Sequence, residues 1–218
     1  MFDFKNVKAI IFDFGGVIIN LNRQASVDKL IELGVYDADS MLDNYVQSGL
    51  FAQLEAGLIN ADQFHRLIRE KYNLSISDDV IDDAFYRFLL DIPKYKMDLI
   101  RRLHNGVYNA NGDKIRILVL SNTNEIQFPY CIRKFFNVDG DSVENYFDHL
   151  YLSYEMKMTK PSEEIFLKLL SDEGIKPEEA VFLDDGPANV ETARRLGMQV
   201  YHVMPNENYS MLFDDILV

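Results

Sequence analysis

Four short stretches of this sequence place oxygen- and nitrogen-bearing side chains where apolar runs end or a helix begins. Asp13 follows Ile10, Ile11 and Phe12 and is itself followed by Phe14, Gly15 and Gly16. Ser121, Asn122, Thr123 and Asn124 follow the run from Ile115 to Leu120, Lys160 directly precedes Pro161, and Asp184 with Asp185 follows Val181 to Leu183. A hydroxyl and free backbone amides at a strand exit make an anion cradle. A lysine at a helix start works against the helix dipole unless it serves something else there, such as a phosphate. Two adjacent carboxylates raise each other's pKa unless a cation lies between them. Oxygen ligands of that kind suit Mg²⁺, which shares its shell with waters and phosphate oxygens. Taken singly, each stretch also fits a plainer role: Asp13 a turn former, Ser121 a helix cap, Lys160 a solvated surface charge, Asp184 and Asp185 capping acids.

The elements that must position these residues follow from local periodicity. The runs 9–12, 115–120, 181–183 and 200–203 are brief, rich in Val and Ile, and too short for helices. They predict strands buried on both faces, as in a parallel sheet. Between them, Pro161 and the acidic Glu163 and Glu164 open a helix whose apolar positions Ile165, Phe166, Leu169 and Leu170 close at Gly174. Val190, Ala193 and Leu196 repeat the pattern up to Gly197. Alternating strands and helices predict a doubly wound, mainly parallel α/β sheet. Residues 18–92 read differently, with helical spacing at Leu30, Ile31 and Leu33, at Phe64, Leu67 and Ile68, and at Ile81, Phe85, Phe88 and Leu89, and with no clear strand. This is a helical insertion, a cap of residues 18–92 on a core of residues 1–17 and 93–218. It hangs from the first strand's carboxyl end, where open α/β sheets bind ligands. Phe51, Gln53 and Glu55, just before Gly57, are candidates to face a ligand from the cap, with packing as the plainer role. Arg101 and Arg102 on a helix starting near Pro93 read as a solvated face, and the four histidines, which share no metal spacing, as structural.

Composition narrows the partners. The chain has 218 residues, 48% of them hydrophobic, so it has the apolar surface to fold. With 22 basic and 35 acidic side chains the net charge is −13, which argues against nucleic acid and means that any anionic ligand must be held by a local device. A single cysteine, Cys131, can form neither an internal disulfide nor a multi-thiolate metal site. No apolar run approaches the roughly 18 residues of a membrane span, and Asp3 sits in a start that does not read as a leader. The expectation is a soluble, cytoplasmic protein with no membrane partner.

In this order, the four stretches resemble the four motifs of the haloacid dehalogenase superfamily, and the resemblance covers the whole chain. Its Phe-Asp-Phe-Gly-Gly-Val-Ile, Ser-Asn-Thr-Asn and Phe-Leu-Asp-Asp-Gly stretches are most similar to α-D-glucose 1-phosphate phosphatases and the phosphatase domain of soluble epoxide hydrolases. The resemblance implies a Rossmann-like core with a helical cap, and a Mg²⁺-dependent phosphatase of a small phosphorylated metabolite. It implies Asp13 as the nucleophile that becomes an aspartyl-phosphate, Ser121 and Asn122 as holders of the phosphoryl oxygens, and Lys160 as the charge that neutralises both phosphate and nucleophile. Mg²⁺ would be bound by Asp13, the carbonyl of Gly15 and Asp185, with Asp184 and Asn189 direct or through water.

The chain departs from that pattern at Gly15, where most of these phosphatases carry a second Asp as acid and base. Losing a general acid typically costs about 10²- to 10⁴-fold, so a better leaving group, as in a sugar 1-phosphate, is the expectation, with an acid from the cap or a bound water. Two other readings stand beside it. One is metal-free dehalogenation of a haloacid, which Asp184 and Asp185 disfavour; the other is a non-catalytic binder of a phosphorylated metabolite that has lost its acid.

Overall fold

The computed structural model describes residues 2–43 and 45–217. The first strand, β1 (Ala9–Phe12), is apolar at every position and fully buried. A block of helices follows it: α1 (Arg23–Glu32), α2 (Ala38–Met41), α3 (Gly49–Glu55), α4 (Ala61–Tyr72) and α5 (Asp78–Tyr86). Helix α6 (Lys94–His104) leads to β2 (Arg116–Ser121), then come α7 (Gln127–Cys131), β3 (His149–Leu152), α8 (Ser153–Met156), α9 (Glu163–Glu173), β4 (Ala180–Asp184), α10 (Pro187–Leu196) and β5 (Gln199–His202).

Among the described residues the five strands form one sheet in the order β3-β2-β1-β4-β5, every pair parallel. Alternate residues of a strand point to opposite faces. Ile10, Phe12, Ile117, Val119, Val181 and Leu183 therefore pack on one side with Tyr209 and Phe213. Ile11, Leu118, Leu120 and Phe182 pack on the other with Ile165, Phe166 and Leu169 of α9. Two-sided burial is why these strands read as continuous apolar runs. β1 is central, with β2 and β4 on either side. The chain leaves β1 and β4 in diverging directions, the switch point at which such sheets bind ligands.

The helices from α1 to α5 have an apolar cluster of their own, in which Phe51, Phe64 and Phe85 meet with ring centroids 5.2 to 5.5 Å apart. Helix α4 is closed at its start by a capping box between Asn60 and Gln63 and at its end by Asn73 in the left-handed region. The chain segments leading into and out of this block run side by side: the Asn20 amide donates to the Asp91 carbonyl, the Leu90 amide to the Asn20 carbonyl, and Leu21 bridges Leu89.

The strand β3 has no counterpart in the four predicted ones. It lies at the sheet's edge, with His149 exposed and Leu150 and Tyr151 half-buried, and its short apolar run, Leu150 to Leu152, holds no Val or Ile. Arg101 is more than a solvated charge, since its guanidinium binds Asp141 and the Tyr146 hydroxyl. No helix among the described residues is long and apolar enough to cross a membrane.

Candidate active site

Strands β1, β2 and β4 deliver their last residues to the same end of the sheet. There a cleft of about 900 Å³, counting its open mouth, lies between the sheet and the helical block. Asp13, Ser121, Asn122, Lys160 and Asp185 line its floor, together with Gly15 and Asn189. Asp184 stands behind Lys160, fully buried.

Lys160 is the hub. Its ammonium donates to the Leu120 carbonyl at 2.8 Å and to Asp184 Oδ2 at 2.6 Å, and lies 2.8 Å from Asp13 Oδ1. Burial alone would discharge this amine, but the charges of Asp13 and Asp184 hold its pKa above the ordinary lysine value. Asp184 is held in turn: its Oδ1 accepts from the Gly186 amide at 2.7 Å and from Asn189 Nδ2 at 2.9 Å. Asn122 fixes the lysine from its backbone side, accepting from the Lys160 amide at 2.8 Å and donating to the Lys160 carbonyl at 2.9 Å. The Asn122 side chain is therefore occupied by the Lys160 main chain.

Asp13 is buried, and its Oδ1 accepts from the Phe14 amide at 2.6 Å. Burial pushes its pKa well above the ordinary aspartate value; Lys160 opposes this, and the charges of Asp184 and Asp185 add to it. Asp185 is raised to about 6, first by burial and then by the charge of Asp184. The carboxylate oxygens of Asp13, Asp184 and Asp185 lie within 4.8 Å of one another. Gly16, at φ +72°, makes room for this cluster, because a Cβ there would sit 2.0 Å from Asp185 Oδ2. Crowded, partly desolvated carboxylates against a bare glycine backbone fit a hard divalent cation.

Of the three cap candidates, Glu55 and Phe51 line the cleft, Phe51 while stacked on Phe85 at 5.2 Å, whereas Gln53 is exposed and faces away from it. Burial raises the Glu55 carboxyl to about 7, against the lowering charge of Lys160. Tyr45 and Gln47 also line the cleft and carry no motif by which the sequence marks them. Ser153 was equally silent: its buried hydroxyl accepts from the Thr123 amide at 2.9 Å and lies 2.7 Å from the Glu55 carbonyl and 2.9 Å from that of Thr123. The histidines take up local pairings, His65 with Asp82 and His149 with Glu173, while His202 reaches the Asp185 carbonyl at 3.0 Å.

An aspartate at the exit of the central strand, an ammonium clamped between two carboxylates, and a third carboxylate beside them define a hydrolase site of one kind. The family model of the haloacid dehalogenase-like hydrolases matches residues 7–197, and the chain belongs to that family. It is 33% identical over 195 residues to a D-ribitol-5-phosphate phosphatase from Bacteroides thetaiotaomicron, covering 89% of this chain and 91% of that protein. A haloacid dehalogenase family enzyme of the same species, crystallised with magnesium and inorganic phosphate, superposes with a TM-score of 0.85 at 38% identity, over 95% of this chain and 99% of that one. A HAD-like family hydrolase from Porphyromonas gingivalis superposes with a TM-score of 0.85 at 35% identity, over 96% and 97% of the two chains.

Proposed function

We propose that this hydrolase is a Mg²⁺-dependent phosphatase of a small phosphorylated polyol or sugar and that it works through an aspartyl-phosphate on Asp13. The observation that carries this reading is the chain of charges in which Lys160 stands 2.8 Å from Asp13 and 2.6 Å from Asp184, the two acids at the ends of adjacent strands, with Asp185 alongside. The helical block of residues 18–92 acts as a cap over residues 1–17 and 93–218.

Asp13 Oδ1 is engaged by the Phe14 amide and Lys160, which leaves Oδ2 to attack phosphorus. Lys160 spreads its charge over the nucleophile and the incoming phosphoryl oxygens, so that two anions can approach. The Ser121 hydroxyl and the backbone amides after β2 take the remaining phosphoryl oxygens. Magnesium, present in the Bacteroides structure, would be held here by Asp13, the Gly15 carbonyl and Asp185, with Asp184 and Asn189 behind them, and when bound it offsets phosphoryl charge. Asp184, bonded to Lys160, Gly186 and Asn189, orients the lysine. The same acidic cluster weighs against metal-free dehalogenation.

Two substrate classes are in contention. Gly15 in place of an acid favours the good leaving group of a sugar 1-phosphate. The D-ribitol-5-phosphate phosphatase of Bacteroides favours a primary alkyl phosphate of a polyol, and this is the class we place first. Phosphate release from D-ribitol 5-phosphate, glucose 1-phosphate and hexose 6-phosphates, with Mg²⁺ and with chelator, tests both. The expected result is Mg²⁺-dependent turnover fastest on the polyol phosphate and lost in Asp13→Asn. Turnover that survives chelation, or an active Asp13→Asn, overturns the mechanism; a strong preference for 1-phosphates restores the leaving-group argument.

A further inference from the structure

A primary alkoxide is a poor leaving group, and its departure needs a proton delivered within hydrogen-bond reach. Apart from Asp185, which the phosphatase reading gives to the metal, the floor of the cleft offers none that is free to give one. Lys160 is tied to Asp13, Asp184 and the Leu120 carbonyl, Asp184 is saturated, and position 15 has no side chain. Cys131, at the cleft's inner wall, is held up to about 12 by burial, and burial likewise raises Tyr45. On the roof stands Glu55, the last residue of α3. Among the described residues its carboxyl makes neither a hydrogen bond nor an ion pair, although it lines the same cleft as Asp13. A half-buried carboxyl left without a partner, in a cleft where Asp13 and Asp184 are paired with Lys160 and Asp185 is given to the metal, is a functional signature.

The backbone around Glu55 is pinned to the catalytic loop. The Ser153 hydroxyl stands between the Glu55 carbonyl, at 2.7 Å, and the main chain of Thr123, two residues after Ser121. Gly57, at φ +64°, lies so close to α8 that a Cβ there would sit 2.1 Å from the Tyr154 carbonyl. The cap thus touches the core beside Glu55, which fixes its backbone at the cleft that its side chain lines.

We propose that Glu55 is the general acid of this enzyme, donating its carboxyl proton to the alkoxide that leaves when Asp13 takes the phosphoryl group; the proposal rests on the phosphatase reading above. In the first step the bond from Asp13 Oδ2 to phosphorus forms and the bond from phosphorus to the ester oxygen breaks. The electron pair stays on that oxygen, which takes the Glu55 proton. In the second step water attacks the aspartyl-phosphate and gives a proton to the Glu55 carboxylate, which regenerates both acids and frees phosphate. A carboxyl near 7 is protonated often enough for the first step and basic enough for the second.

First-turnover measurements by rapid quench test this with Glu55→Gln and Glu55→Asp. With D-ribitol 5-phosphate, Glu55→Gln should slow release of the alcohol by about 10²- to 10⁴-fold, and release of p-nitrophenol from its phosphate, which needs no proton, by no more than about tenfold. Glu55→Asp should recover part of the alkyl rate. Equal losses on both esters, no loss on the alkyl ester, or an Asp variant no better than Gln would each overturn the assignment. The wild-type alkyl rate should also fall as pH rises through the Glu55 titration, a limb missing from Glu55→Gln. Asp13, Asp185, Lys160, Tyr45 and Cys131 face the same cleft, and any limb they cause would persist in the variant. If the wild type hydrolyses neither ester, the phosphatase reading itself fails; an active wild type with an equally active Glu55→Gln sinks the acid alone.

Discussion

The two walls of the cleft are built on opposite principles. On the core side the groups around Lys160 are answered by other protein groups: Lys160 by two carboxylates and a carbonyl, Asp184 by an amide and Asn189, Asn122 by the Lys160 main chain. On the cap side the Glu55 carboxyl lies over the same space without a partner. The core wall is preorganised before any substrate arrives, which is how fixed charges act most strongly on developing charge. The cap wall is completed only by the substrate. In an acidic protein with a net charge of −13, the buried ammonium of Lys160 is the local device for an anion, locked in place by the acids on either side of it.

The harshest way to break this contrast is to remove the hub. Lys160→Met leaves Asp13 and Asp184 buried without their counter-charge, an arrangement that typically costs about 3 to 5 kcal/mol. Thermal unfolding of the metal-free variant should show a loss of that order, and its turnover should fall by at least about 10²- to 10³-fold. A variant as stable as the wild type would mean that the core wall is not held by the lysine. A milder break acts on the seam between the walls. Gly57→Ala forces a methyl against the Tyr154 carbonyl at a backbone angle that disfavours alanine. It should lift Glu55 from the floor and reduce kcat/KM on an alkyl phosphate by about 10²-fold, as a displacement near 1 Å can do. Mg²⁺ affinity, a property of the core wall, should stay unchanged; a matching loss of Mg²⁺ binding would show that the walls are not separable.

The same contrast explains what could be read from the sequence. The core wall was legible because β1, β2 and β4 are apolar runs buried on both faces, and each ends in a residue whose type already carries chemistry: Asp13, Ser121, Asp184. Strand β3 escaped because its apolar run, Leu150 to Leu152, is short, lacks Val and Ile, and follows the exposed His149. The helical block was legible from its 3.6-residue spacing, and Glu55 from its place before Gly57. What the sequence could not convey was pairing between distant segments. The Asn122 side chain is consumed by the main chain of a residue 38 positions away, and Ser153 meets the Glu55 carbonyl across 98 positions. Neither contact leaves a periodic trace, since the first is decided only when the loops after β2 and α8 meet and the second only when the helical block meets the core.

Ser153 marks the gentlest test, because it touches both walls without belonging to the chemistry. Its hydroxyl has one proton, so it donates either to the Glu55 carbonyl or to that of Thr123 while accepting from the Thr123 amide. Ser153→Ala, at a fully buried side chain, removes the donor and leaves the Thr123 amide without its acceptor. That should cost about 1 to 3 kcal/mol in unfolding free energy. Kinetically the two ends of the bridge separate. If the hydroxyl chiefly steadies the loop after β2, the variant should bind inorganic phosphate more weakly, with the alkyl and aryl esters affected alike. If it chiefly seats the cap, phosphate binding should persist and only the alkyl ester should slow, by less than about tenfold because the Gly57 contact still holds the seam. The shorter approach to the Glu55 carbonyl, 2.7 Å against 2.9 Å to Thr123, favours the second outcome.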